Sequence, residues 1–151
     1  MKIERKENQI EERKTLGYDW EFGHEELMLE VGSYTYGDRL YIGLLHEVEG
    51  QTEPFGALTI NLPYSPAEAN EAYLDDFSRE SKLAFIKKHR LGKVLPEEGY
   101  SGYGRYSKVA FDLNRLAELD PKGAETYRRL RGMSVQEPGK RKKRAKKGRE
   151  R

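Results

Sequence analysis

Leu27-Met28-Leu29-Glu30-Val31-Gly32-Ser33, then Gly37-Asp38, then Leu40-Tyr41-Ile42-Gly43-Leu44-Leu45-His46-Glu47-Val48 is the stretch that decides the fold. Leu27, Leu29 and Val31 alternate with Met28, Glu30 and Gly32. Leu40, Ile42, Leu44, His46 and Val48 alternate with Tyr41, Gly43, Leu45 and Glu47. A period of two places successive side chains on opposite faces of a strand. Two such segments around a Gly-Asp pair predict a β-hairpin with one buried face. Gly50 closes the second strand. A third is predicted over Pro54–Leu62, with Leu58, Ile60 and Leu62 on one face, and Pro63 stops it because proline cannot donate to a ladder. The three strands form an antiparallel meander.

Outward from this meander the signals change. Upstream, Tyr18, Trp20 and Phe22 alternate with Asp19 and Glu21, which suits a short strand or an aromatic clasp. Residues 1–15 are mostly charged and are expected to form a disordered or weakly helical arm, since a helix that short is marginal alone in water. Downstream, Tyr64–Asn70 is a turn-rich loop, and Glu71–Asp76 is ambiguous between strand and turn. Ser78 is placed to cap a helix over about 79–90, with Gly92 at its C′ position. Pro96, Gly99, Gly102 and Gly104 suggest a glycine-rich loop over 96–105, followed by a strand at 106–111. Asp112 is a candidate cap for a short helical turn through Leu116 and Leu119. Asp120-Pro121 is a cap followed by proline at the first helical position, opening a helix that ends at Gly132.

Strands first, then helix, strand and helix argue an α+β domain over 16–132. The expected architecture is an antiparallel sheet of three to five strands with one or two packed helices, and a disordered basic tail over 133–151. The chain has 151 residues and no cysteine, which excludes disulfides and thiolate metal sites and fits a reducing setting. The N-terminus carries no apolar segment of a secretory signal, and no apolar run approaches the ~20 residues that span a bilayer. The expectation is a cytoplasmic protein with no membrane partner.

Charge is sorted along the chain. Residues 1–120 hold 15 Lys/Arg and 23 Asp/Glu, whereas 121–151 hold 13 Lys/Arg and 3 Asp/Glu. Nine of those cations fall within the last twelve residues: Lys140, Arg141, Lys142, Lys143, Arg144, Lys146, Lys147, Arg149 and Arg151. Such a block repels itself and cannot build a core, but it neutralises phosphates without reading sequence. It therefore reads as a nucleic-acid contact or as a solubilising tail, and with no aromatic residue it offers no base stacking. The stretch 19–80 has the opposite bias, with 14 Asp/Glu against Arg39 and Arg79. It reads as a surface for a basic host protein or as the solvated face of a sheet.

Gly99-Tyr100-Ser101-Gly102-Tyr103-Gly104-Arg105-Tyr106 is the most unusual local string. Tyr100, Tyr103, Arg105 and Lys108 are candidate contacts to unstacked bases and a phosphate. Equally, the glycines supply turn conformations and the tyrosines pack on a sheet edge. The spacing is not that of a dinucleotide-binding fingerprint or a P-loop. His24, His46 and His89 show no metal spacing, and no serine sits in a G-x-S-x-G context. Asp75-Asp76 and Glu97-Glu98 are adjacent carboxylates, which in a strand point to opposite faces. The sequence points to no catalytic residue, no metal and no cofactor, and the expectation is a protein that is not an enzyme.

The order of motifs from about Leu27 to Leu119 resembles a family of small uncharacterised domain proteins carried on plasmids and conjugative elements of gut Firmicutes. The resemblance lies in Thr59-Ile60-Asn61-Leu62-Pro63, Glu71-Ala72-Tyr73-Leu74-Asp75, Lys88-His89-Arg90-Leu91-Gly92-Lys93, Tyr100-Ser101-Gly102-Tyr103, and Tyr106 to Phe111-Asp112-Leu113-Asn114-Arg115-Leu116. The chain departs at Asp76-Phe77-Ser78, where the family has a polar Thr-Asn-Asn. The resemblance implies a mobile-element setting and no particular activity. Two functions follow as expectations: a binding module that contacts nucleic acid through the tail, or an anti-defence inhibitor whose acidic face engages a nucleic-acid-binding host protein.

Overall fold

In the computed structural model, residues 13–133 are described. The expected disorder of residues 1–12 and of the basic tail from 134 onward lies outside the described residues. The α+β reading holds, with the strands shared between two antiparallel sheets of four rather than one, and with three helices.

The first sheet has the order β1 (Leu16–Trp20), β2 (Gly23–Ser33), β3 (Leu40–Val48) and β4 (Gln51–Ala57). The hairpin read from the sequence is β2–β3, with Val31 opposite Ile42 and Ser33 opposite Leu40. Asp38 (φ 53°) and Gly37 (φ 84°) turn the chain between them. A tighter hairpin, β3–β4, places Val48 opposite Gln51 across Glu49-Gly50. Both turn residues have positive φ, which matches the twist of the strands. The aromatic segment at 16–20 is strand β1, paired with β2 so that Trp20 faces Gly23.

The single strand expected over Pro54–Leu62 is instead two strands in two sheets. β4 ends at Ala57, and β5 (Thr59–Ile60) pairs with β6 (Glu71–Leu74) in the second sheet. Leu58 is the crossing point. Its N–H donates to the Ile42 carbonyl at 2.9 Å, and its carbonyl accepts from the Asp75 N–H at 3.0 Å. The Thr59 hydroxyl oxygen accepts from the Ile42 N–H at 3.1 Å and shares a hydrogen bond with the Tyr34 hydroxyl. Phe55 is the extra residue of a β-bulge opposite Leu44/Leu45, and a bulge bends the strand that carries it. Alternation cannot distinguish one long strand from two collinear ones whose partners change at a buried leucine.

The second sheet runs β5-β6-β8-β7, with β7 (Gly92–Ser101) and β8 (Gly104–Phe111) forming a hairpin. This corrects two expectations. The glycine-rich segment 96–105 is mainly the end of a β-hairpin, not a loop. Gly92 opens a strand instead of ending a helix. A Cβ at Gly99 would lie 2.7 Å from both Leu62 and Tyr73, so this glycine permits close packing and not merely a turn.

Helix α1 (Arg79–Lys88) packs on β1, and Arg90, in the left-handed region (φ 56°), ends its run. Ser78 does not cap it. Ser78 is itself left-handed (φ 54°), and its hydroxyl donates to Glu21 at 2.7 Å. Helices α2 (Leu113–Leu119) and α3 (Pro121–Leu130) are capped as expected, by Asp112 and Asp120. Asp120 is 2% exposed and also accepts the Val31 N–H at 2.9 Å, which joins both helices to the first sheet. The core lies between the sheets and under α1. Leu27, Leu29, Leu40, Ile42 and Leu44 from the first sheet meet Leu74, Val109 and Phe111 from the second, with Phe85, Leu116 and Tyr127 from the helices. Each such side chain contributes about 1.5–3 kcal/mol by leaving water.

Candidate functional site

Three surfaces of the described domain carry chemistry. The first is the β7–β8 hairpin end. Tyr100 and Arg105 are direct cross-strand partners and share a face, while Tyr103 stands in the turn, fully exposed. Lys108 does not join them. Three residues further along β8, it points to the other face, where its ammonium pairs with Glu71 at 3.2 Å and lies 5.9 Å from the Tyr73 ring centre. Burial works against ionisation of Glu71. The Glu68 N–H and Lys108 outweigh it and hold the carboxyl below its ordinary value. Lys108 is thus a structural cation tucked beside its carboxylate, and the hairpin tip offers two tyrosines and one arginine. The nine tail cations, Lys140 through Arg151, lie outside the described residues.

The second surface is a groove of about 660 Å³ between α1 and the edge strand β7. Leu83, Ile86, Val94 and Ala110 form its apolar floor, and Lys87, Arg90 and Lys93 stand on its rim. All three cations are exposed and have no ion-pair partner among the described residues. Asp112, the one acid among the described residues that line the groove, already accepts the Asn114 and Arg115 N–H groups as a helix cap. The sequence reading missed this site. Its signal was present, because residues 81–96 contain five Lys/Arg and no Asp/Glu. The bias of the acidic stretch that ends at residue 80 obscured it.

The third surface is aromatic and lies where the β1–β2 turn meets the 75–78 loop. Trp20 is its hub, with ring centres of Phe22 at 5.0 Å, Phe55 at 5.3 Å, Tyr18 at 6.0 Å and Phe77 at 6.2 Å. Phe22 is 77% exposed and Phe77 62%. The Trp20 indole N–H is enclosed without an acceptor among the described residues. Phe77 is held in place: its N–H donates to Asp75, Ser78 next to it is left-handed, and the Ser78 hydroxyl ties the loop to Glu21. That hydrogen bond holds the Glu21 carboxyl below its usual range. Lys82, buried and paired with Asp75 at 3.0 Å, lies 5.7 Å from the Phe77 ring centre.

The histidines do not converge on a common point. His24 lies between Asp19 and Glu26, at 2.6 Å from each through different ring nitrogens. The bond to Asp19, then that to Glu26, raises its pKa above the ordinary 6.5. His89 bonds the Gly17 carbonyl, and His46 stacks edge-on against Phe55. Among the described residues no group of three or more His, Asp or Glu is arranged to hold a metal ion. None of their helices is long and apolar enough to cross a membrane.

Among curated proteins and solved structures, none matches the chain. One family does match, across residues 28–130, from the middle of β2 to the end of α3. That span contains the β2–β3 hairpin from Met28 onward, the β3–β4 and β7–β8 hairpins, the sheet crossing at Leu58, the basic groove and the capped helices. The chain belongs to the family described as Domain of unknown function (DUF4313).

Proposed function

We propose that this protein is a nucleic-acid-binding accessory of a mobile genetic element, contacting phosphates through its C-terminal cations and through the α1–β7 groove. The groove carries the reading: Lys87, Arg90 and Lys93 stand unpaired over an apolar floor on a body that is otherwise acidic. Cations that only solubilise a surface are normally interspersed with acids. Here the rim cations surround a floor on which an unstacked base or sugar would lie, with phosphates within reach of the rim. The tail adds nine cations that bind in a salt-dependent, sequence-indifferent manner.

Titration of a labelled single-stranded oligonucleotide against the protein at rising salt tests this. With nine tail and three groove cations engaged, the slope of log K against log salt is expected to reach about −8, at roughly −0.7 per phosphate neutralised. Removing 140–151 should leave a slope of about −2. The triple variant Lys87→Glu, Arg90→Glu, Lys93→Glu should lower the full-length slope by about 2 units. An intact protein that ignores both DNA and RNA at ~50 mM salt would sink the proposal, because phosphate contacts are strongest there.

A further inference from the structure

We infer that the Trp20 patch is a docking site for a basic segment of a partner protein in which arginines are interspersed with apolar residues. This inference is independent of the nucleic-acid reading. Two large aromatic side chains, Phe22 and Phe77, stand mostly in solvent. They do so on a fixed platform: Phe22 at the tip of the β1–β2 turn, and Phe77 on a loop pinned by the Asp75 and Ser78 hydrogen bonds. The left-handed Ser78 costs conformational energy to hold that loop in place, and such outliers gather at binding sites. Rigid aromatic anchors whose shape is set before the partner arrives are the usual centre of an interface.

The surrounding charge selects the partner. Glu21, Glu53 and Asp76 are exposed around the aromatic group. Glu53 lies directly opposite His46 on β3, and Asp76 adjoins Phe77. Among the described residues, Lys82 is the cation placed against Phe77, and it is buried and already committed to Asp75. Acids repel phosphate, so nucleic acid is a poor occupant. A guanidinium, in contrast, stacks on an aromatic face and pairs with a carboxylate in the same pose. The chain's own 140–151 segment supplies cations but only Ala145 and Gly148 besides them and Glu150, so nothing in it would cover Phe22 and Phe77. Apolar side chains between the arginines would do so.

The test uses labelled octapeptides of alternating arginine and leucine, lysine and leucine, or glutamate and leucine. Each is titrated against the full chain at ~150 mM salt, with anisotropy and the fluorescence of the single tryptophan, Trp20, as readouts. The arginine peptide is expected to bind and perturb Trp20, the lysine peptide to bind more weakly, and the glutamate peptide not to bind. The double variant Phe22→Ser, Phe77→Ser alters only exposed side chains and should weaken binding about tenfold or more. Glu53→Gln with Asp76→Asn should weaken it severalfold and flatten its salt dependence. Unchanged peptide affinity in the Phe22→Ser, Phe77→Ser protein overturns the inference. So does binding that occurs only once 140–151 is removed, which would make the tail the occupant. Binding of single-stranded DNA alone to the protein lacking 140–151 that is lost in Phe22→Ser, Phe77→Ser overturns it as well. A dimer of the full chain that the same double variant dissociates would assign the patch to a second copy instead.

Discussion

Substituting Asp120 tests how the helical end is fastened to the sheets. Asp120 ends α2, caps α3 and bonds to β2, and its two carboxylate oxygens are used separately. Oδ2 accepts the Val31 N–H at 2.9 Å, and Oδ1 accepts the Gly123 N–H at 3.3 Å. In Asp120→Ala the lost cap costs about 1 kcal/mol. The buried Val31 N–H, left without its acceptor, costs about 1–3 kcal/mol more. Arg13, 3.6 Å away and partly exposed, adds little. The sum is roughly 2–4 kcal/mol, a substantial share of the stability of a domain this size. Asp120→Asn is also expected to be costly, because an amide has one acceptor oxygen for two N–H donors and must turn its own NH₂ toward one of them. Asp112 is the internal comparison. It caps α2 from an exposed position through one oxygen, so Asp112→Ala should cost only about 1 kcal/mol. Urea unfolding followed by Trp20 fluorescence measures both. At a slope near 2 kcal/mol per molar, Asp120→Ala moves the midpoint down by about 1–2 M without changing the slope, and Asp112→Ala by about 0.5 M. Equal midpoints for the two variants, or a shift below about 0.3 M for Asp120→Ala, would refute the assignment of Asp120 as the buried fastening.

Two further outcomes follow from the ionisable groups. His24 gains Asp19 and Glu26 only in the folded chain, so its stabilising effect is complete below 6.5 and is lost as pH rises through its raised folded value. Asp19 and Glu26 are lowered, chiefly by the His24 bond, and their contribution is present above their ordinary 3.8 and 4.5 and fades as pH falls through the lowered values. The cluster is therefore fully formed from about 4.5 to 6.5. An NMR titration should place His24 above 6.5 and return it toward that value in Asp19→Asn, Glu26→Gln; an unchanged titration in that variant refutes the cluster. Lys108→Gln should cost about 1–2 kcal/mol at neutral pH by leaving the mostly buried Glu71 carboxylate short of a partner. The deficit should shrink as acid protonates Glu71, whose contribution is fully present above its ordinary 4.5 and is lost as pH falls through its lowered folded value. Nucleic-acid affinity should be unaltered, and a loss of affinity would instead restore Lys108 as a phosphate contact.

The local elements were legible wherever a short-range rule fixes them. Alternation at 27–31 and 40–48, the Gly37-Asp38 turn, and the carboxylate caps at Asp112 and Asp120 all stand as read, because each depends on neighbours a few residues away. Ser78 was misread because a serine before an apolar helical segment is normally a cap. Here its hydroxyl is taken by Glu21, 57 positions earlier in the chain. Of the candidate contacts, Tyr100 and Arg105 meet across the β7–β8 hairpin, whereas Lys108 faces away to Glu71, a partner from another strand that local sequence does not reveal.

What the sequence determined by itself was the class of the fold, the hairpin at its centre, and the division between an acidic body and a basic end. These are sums over local pattern and composition, and they do not depend on which strand lies beside which. Only the tertiary structure decided that the chain changes sheets at Leu58, that Lys87, Arg90 and Lys93 share the rim of one groove, and that Phe22 and Phe77 meet around Trp20. Each of these joins residues from separate elements. Which residues become neighbours is settled when the two sheets close over a common core, and no periodicity along a single segment records that.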